Sequence, residues 1–226
     1  MSDAQQAFIE MISKRLGRPM PTEKPHHPFK GAPEFWRSYE LGLEQRIDLF
    51  RDNWAKAGGH SFRFSTMDDV KRFIVEQAQS LKARQILQQN QPELLSLRLK
   101  EQLPSCKVIT WGPGNRDELV AHAAGADIGI AWVDQAVAHT GSIVVTSSGN
   151  TGRSVSLLPT VFLAIIPVER LKTRLGEVLA AYDGQPRKHF PAGIHFISGP
   201  SRSADIENDL TIGVHGPGVV FALLVG

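Results

Sequence analysis

Cysteine is almost missing from this chain: Cys106 is the single thiol among 226 residues. No disulfide can form within the chain. A conventional iron–sulfur cluster takes about four ligands, mostly thiolates, so this chain alone cannot hold one. The eight histidines lack metal-ligand spacing, and no structural zinc site is expected. Long hydrophobic runs are missing too. No apolar stretch approaches the roughly 20 residues that span a bilayer. Met1-Ser2-Asp3-Ala4 has neither the basic nor the apolar block of a signal peptide. A cytoplasmic location without a membrane span is the expectation. An excess of one charge sign is also absent. The net charge of +2, with Lys and Arg spread along the chain, offers no nucleic-acid surface.

What is present is a large apolar fraction. Hydrophobic residues make up 42% and charged residues 21%, which excludes global disorder. The length fits one large domain or one domain with a helical extension. Cys106, beside Val108-Ile109, reads as a core residue rather than a nucleophile. Residues 3–16 read as a short amphipathic helix with Phe8, Met11 and Ile12 on its apolar face. Residues 17–33 are proline-rich, include His26-His27, and read as an irregular arm. Residues 34–57 read as a long helix with Trp36, Leu43, Ile47, Phe50 and Trp54 near one face, stopped by Gly58-Gly59. The expected organisation is a helical arm over residues 1–57 and an α/β domain over 58–226.

Beyond residue 59 strands alternate with helices. Strand patterns occupy 60–64, 85–88, 107–111, 127–133, 142–146, 161–166, 193–197 and 219–225. Helical patterns occupy 66–83, 92–103, 115–125 and the stretch from Pro167 to Tyr182, where Leu171, Leu175, Val178 and Tyr182 share a face. Ser65-Thr66 with Asp68-Asp69, and Asn115 with Glu118, resemble capping boxes. The alternation predicts a mostly parallel sheet covered on both faces. The adjacent runs 127–133, 142–146 and 161–166 lack intervening helices, which predicts an antiparallel or irregular excursion there.

Three polar stretches stand beside these strands. Ser198-Gly199-Pro200-Ser201-Arg202-Ser203-Ala204-Asp205-Ile206-Glu207 follows a strand directly. Ser201, Arg202 and Ser203 are donors suited to an anion, and Asp205 fits either an orienter of Arg202 or a helix cap. Gly213-Val214-His215-Gly216-Pro217-Gly218 reads as a tight turn, or as a loop whose His215 and Gly216 meet a ligand. The third comprises Ala138-His139-Thr140-Gly141-Ser142 and the loop Ser147-Ser148-Gly149-Asn150-Thr151-Gly152-Arg153. Its amides and hydroxyls suit phosphate or carboxylate, but it has neither P-loop nor GxGxxG spacing. A flexible surface loop is the other reading. Asp127 and Asp134 fit either a carboxylate pair at one sheet edge or two strand-end turn formers. No Ser-His-Asp or Cys-His set follows from spacing. The 199–207, 147–153 and 213–217 loops are expected to face one pocket; Ser201, Arg202, Ser203, Asp205, His139, Thr140, Gly141, Ser147, Ser148, Gly149, His215 and Gly216 are the candidate ligand contacts, and no metal is expected.

Taken together, these segments resemble the LutC/YkgG lactate-utilization family, the LUD-domain proteins. The resemblance rests on Gly199 to Glu207, Gly213 to Pro217 with the apolar strand Val219 to Val225, Ala126-Asp127, Ala138 to Ser142, and Ser156 to Pro159. It covers about residues 58–226. One position departs from the family pattern: His139 stands where the family usually carries Glu in Ala-Glu-Thr-Gly, so no acid–base role transfers to it. The resemblance implies a Rossmann-like α/β layered sheet of the glucosamine-phosphate deaminase (NagB), ribose-phosphate isomerase (RpiA) and CoA-transferase type. It also implies service beside two iron–sulfur proteins, LutA and LutB, in oxidising L-lactate to pyruvate. The clusters would then reside in the partners, in keeping with the lone Cys106. A small carboxylate or phosphate ligand is expected, with Arg202 as its first contact. Two other readings remain open: a stand-alone enzyme on a phosphorylated or CoA-linked molecule, and a non-catalytic scaffold.

Overall fold

Val161 to Pro167 is apolar at every position, and such a run is satisfied only by a strand covered on both faces. In the computed structural model it is that strand, and all its residues are buried. The structure describes residues 3–20, 41–204 and 210–226. The chain divides into two units, Met1–Glu40 and Leu41–Gly226. In the first, helix α1 spans Asp3–Arg15, with Asp3 in its first turn and Lys14 and Arg15 in its last, each matching the helix dipole. The proline-rich arm from residue 21 on, with His26 and His27, lies outside the described residues, as do Trp36 of the expected long helix and Asp205, Ile206 and Glu207.

The second unit opens with α2 (Leu43–Lys56) and then carries β1 (His60–Phe64), α3 (Met67–Ser80), β2 (Gln85–Gln88), α4 (Pro92–Leu95), α5 (Leu99–Gln102) and β3 (Lys107–Thr110). Next come α6 (Arg116–Ala124), β4 (Ile128–Trp132), β5 (Gln135–Val137), β6 (Ser142–Ser147), α7 (Ser154–Leu157) and β7 (Val161–Pro167). The chain ends with β8 (Leu171–Lys172), α8 (Leu175–Ala180), β9 (Gly193–Ile197), β10 (Arg202–Ala204), β11 (Leu210–Ile212) and β12 (Val219–Val225). Six strands form a parallel sheet in the order β1-β12-β7-β4-β2-β3. The excursion expected after β4 is a second sheet, β8-β5-β6-β9, in which β6 runs antiparallel to both neighbours. β10 and β11 make a separate antiparallel ribbon.

The two faces of the large sheet are covered differently. On one, Val70, Ile74 and Ala78 of α3, with Leu94 and Leu99, pack on Ile128, Ile130, Leu163 and Ile165. On the other, Ile47, Phe50 and Trp54 of α2 join Ile143 and Val145 of the second sheet over Ala131, Ala164 and Ala222. This packing moves the boundary expected at residues 57/58: α2 is part of the α/β unit, which begins at Leu41. The helix expected from residue 34 is described only from Leu43. Gly42 starts it, its amide donating to Gln45 Oε1 at 3.0 Å.

Two further expectations differ. The helix expected over 92–103 is two single turns, because Arg98 takes a left-handed conformation (φ +50°) between them. The helix expected from Pro167 is a 3₁₀ turn at Val168–Arg170, the short strand β8 and then α8. Leu171 therefore packs as a strand residue beside Ala136 rather than on a helical face with Leu175. Both helix starts hold. Thr66 Oγ1 accepts from the Asp69 amide at 3.2 Å, and Asn115 Oδ1 accepts from Asp117 rather than engaging Glu118.

Candidate functional site

A parallel sheet has a carboxyl end and an amino end, and ligands of open α/β sheets gather outside the carboxyl ends where strand order reverses. Here the chain passes from β2 to β3 on one side and then to β4 on the other, so the reversal lies between β2 and β4. The three polar stretches divide between the two ends. Gly213 to Gly218 precedes β12 and Ser198 to Ser201 lies against it, both at the amino end. The amide of Ser201 donates to the Pro217 carbonyl at 2.9 Å, and that of Gly213 donates to the Ser201 carbonyl at 2.9 Å. Gly216 fits so closely that a methyl there would meet Ser201 Cβ at 3.1 Å. An open cleft of about 580 Å³ beside this loop is lined by Leu157, Leu158, Thr160, Ile212, His215 and Gly216.

Arg202 is exposed and donates through Nη2 to the Ala57 carbonyl that ends α2, where a cation matches the helix dipole. Ser203 follows it in β10, paired with Thr211 of β11. The turn His139-Thr140-Gly141 sits on the same helix: Asn53 Nδ2 donates to the Ala138 and His139 carbonyls, both at 3.0 Å. Gly141 has φ +55°, and a side chain there would meet the Asn53–Trp54 backbone at 2.6 Å. Ser142 Oγ bonds Thr140 Oγ1 at 2.8 Å and Ser198 Oγ at 2.6 Å. The segments 139–142, 198–203 and 213–216 are thus brought to one region, with hydroxyls and guanidinium engaged in holding α2, β6 and β12.

Ser147, Ser148 and Gly149 are not there. They lie at the far end of β6, five residues from Ser142 and roughly 17 Å away at strand rise. That end meets the carboxyl ends of β2 and β3. The Asn90 amide donates to the Asn150 carbonyl at 2.9 Å, and Gly152 lies directly on the Trp111 ring. The loop is closed by Ser148 Oγ and Thr151 Oγ1 at 2.8 Å, while Gly149 faces open space. Asp127 and Asp134 sit at opposite ends of β4. Asp127 accepts from the Arg84 and Gln85 amides at 2.7 and 2.9 Å, and Asp134 from the Thr146 amide and hydroxyl at 2.6 and 2.9 Å. They are strand-end anchors, not a pair.

The carboxyl-end crevice holds residues that sequence reasoning passed over. From the last residue of β2 the chain reads Gln88-Gln89-Asn90-Gln91. Gln91 clamps β4, accepting from the Trp132 amide and donating to the Trp132 carbonyl, both at 3.3 Å. Gln88 Nε2 donates to Thr110 Oγ1 at 3.2 Å. Gln89 is fully buried, and among the described residues neither end of its amide has a partner. On the second sheet, His195 of β9 shares a 2.8 Å bond with Ser147 Oγ. Burial pushes the His195 imidazole below the usual histidine range, and the Arg153 cation adds to the shift. A run of four amide side chains after an apolar strand was a signal available in the sequence. His195 was hidden inside an ordinary strand pattern.

The LUD domain model matches residues 47–225, which takes in both ends of the sheet. The chain belongs to the LUD-domain family. Over 96% of its length it is 33% identical to Lactate utilization protein C of Halalkalibacterium halodurans, covering 95% of that protein. It is 31% identical over 96% of its length to Lactate utilization protein C of an Exiguobacterium species, covering 94% of it. A crystal structure of a DUF162-family protein from Deinococcus radiodurans superposes with a TM-score of 0.54 at 18% identity, over 83% of this chain and all of that one. That likeness supports the Rossmann-like layered LUD fold. The LUD match begins at Ile47, inside α2, in keeping with the place of that helix in the core. Among the described residues of this LUD-domain chain, no helix is long and apolar enough to cross a membrane.

Proposed function

We propose that this chain serves lactate utilization in the cytoplasm. In this reading it is the cluster-free subunit of a complex that oxidises L-lactate to pyruvate beside LutA-like and LutB-like iron–sulfur proteins. The observation that carries the reading is the relation, over nearly the whole of both chains, to proteins named Lactate utilization protein C. The chemistry agrees with a supporting role. Oxidation of lactate releases two electrons and two protons. Imidazole, hydroxyl, amide and guanidinium groups can bind a hydroxy acid and take up a proton, but they do not accept electrons. A lone thiol cannot form an intramolecular disulfide and cannot ligate a conventional cluster. In this reading the electrons pass to the iron–sulfur partners. Deleting the gene in its host tests the role: growth on L-lactate should cease, growth on pyruvate should continue, and a plasmid copy should restore the first. Undiminished growth on L-lactate without the chain would refute it.

A further inference from the structure

A buried amide with both ends unpaired forfeits the hydrogen bonds that water gave it, and nothing among the described residues returns them to Gln89. Its position shows what it faces. Side chains alternate along a strand, and Leu87 packs with Ile109, Trp111 and Val155 on one face. Gln89, two residues on, points to that same face. The β2–β4 register pairs Gln88 with Ile130, so the next pair sets Gln89 beside Ala131. Ala131 packs in one cluster with Val145 of β6, and Val145 pairs with His195. The buried amide thus lies at the strand-order reversal, on the sheet face that also carries the second sheet with its Ser147–His195 pair, and Gly152 closes over Trp111 nearby.

We infer that this crevice binds a small 2-hydroxy or 2-oxo monocarboxylate, with Arg153 on the carboxylate and Gln89, Ser147 and His195 on the 2-oxygen. The choice of ligand class rests on the lactate-utilization reading; the existence of a site rests on Gln89. A hydroxy acid presents both a donor and an acceptor, which is what an amide can pair. Arg153 is an exposed cation on the loop after β6, close enough to His195 to disfavour its charged form, and one positive charge balances a monocarboxylate. The neighbouring carboxylate, Asp134, is already held by Thr146 through Oδ2. Ser148, the residue best placed to add hydroxyl donors for a phosphate, is bonded to Thr151 and to the Asn150 amide.

The test is calorimetric titration of the full chain with L-lactate, pyruvate and inorganic phosphate, alongside thermal unfolding. L-lactate or pyruvate should bind. Arg153→Gln should weaken binding by about ten- to a hundredfold, the loss expected for a charge-assisted hydrogen bond. Gln89→Leu should weaken it by about tenfold or more while unfolding at the same or a higher temperature, because it replaces an unpaired buried amide with an apolar group. A structural Gln89 would instead lower the unfolding temperature. Arg63→Gln, on edge strand β1, should bind as the parent does. If L-lactate binds and both crevice variants bind equally well, the site is elsewhere and the proposal fails, while the lactate reading stands. If phosphate alone binds and the variants abolish it, the crevice is an anion site and the hydroxy-acid assignment falls. Binding of none of the three probes at concentrations on the order of 10 mM would overturn the proposal.

Discussion

His195 lies on the face of β9 turned toward the large sheet, and burial disfavours its charged form there, with Arg153 adding like charge. In the unfolded chain an imidazole titrates near 6.5. The folded value is lower, so on acidification the unfolded state binds the proton first. The sign follows: the stability associated with neutral His195 is fully present above about pH 6.5 and is lost as pH falls through the folded value. His195→Asn removes that proton linkage. Thermal unfolding between pH 7.5 and 5.5 should therefore show a shallower fall in the variant than in the parent. Equal slopes would mean that His195 is not held neutral by its surroundings. At this scale the sequence was only partly legible. Thr66 and Asn115 were readable as caps because a cap is local. Arg202 stood among hydroxyl-bearing residues after a strand, which fits an anion contact, but its actual partner is the Ala57 carbonyl, 145 residues away in the chain. Ser147 and Ser142 look adjacent in sequence, yet a six-residue strand carries them to opposite ends of the molecule's sheet.

At the scale of elements, α2 carries more than its sequence position suggests. Ile47, Phe50 and Trp54 are all but fully buried, and the Phe50 and Trp54 rings stack with centroids 5.6 Å apart. Trp54 Nε1 also donates to the His60 carbonyl at 3.0 Å, and Arg46 Nη1 to the Leu171 carbonyl at 2.6 Å. Truncating one buried aromatic typically costs ~3–5 kcal/mol, and whole domains are stable by only ~5–15 kcal/mol. A chain of residues 58–226, which loses two such rings with Ile47, should have no cooperative thermal transition. A chain of residues 41–226 should retain one. A folded 58–226 product would show that α2 is an accessory rather than part of the core. Strong strands such as β7 and β12 were legible because apolar runs of that length admit few alternatives. β8, β10 and β11 were not: they are two or three residues long, and their pairing partners decide them. The break at Gly58-Gly59 was real as a helix stop but misleading as a boundary, because the face of α2 that closes the core precedes it.

At the scale of the whole molecule, the fold explains a division of labour between its two ends. The amino end fastens α2, β6 and β12 with mutually satisfied hydroxyls and the Arg202 guanidinium. The carboxyl end holds the buried Gln89 amide, unpaired among the described residues, and the His195–Ser147 pair of the second sheet. The proposed hydroxy-acid role draws on both ends, the frame to hold the strands and the unpaired Gln89 amide to meet the ligand. The most direct measurement is reconstitution: L-lactate-dependent reduction of an artificial electron acceptor by purified components. This chain alone should give no turnover, the two iron–sulfur proteins without it should be strongly impaired, and the three together should convert L-lactate to pyruvate. Turnover by this chain alone, or a full rate from the two partners in its absence, would contradict the account.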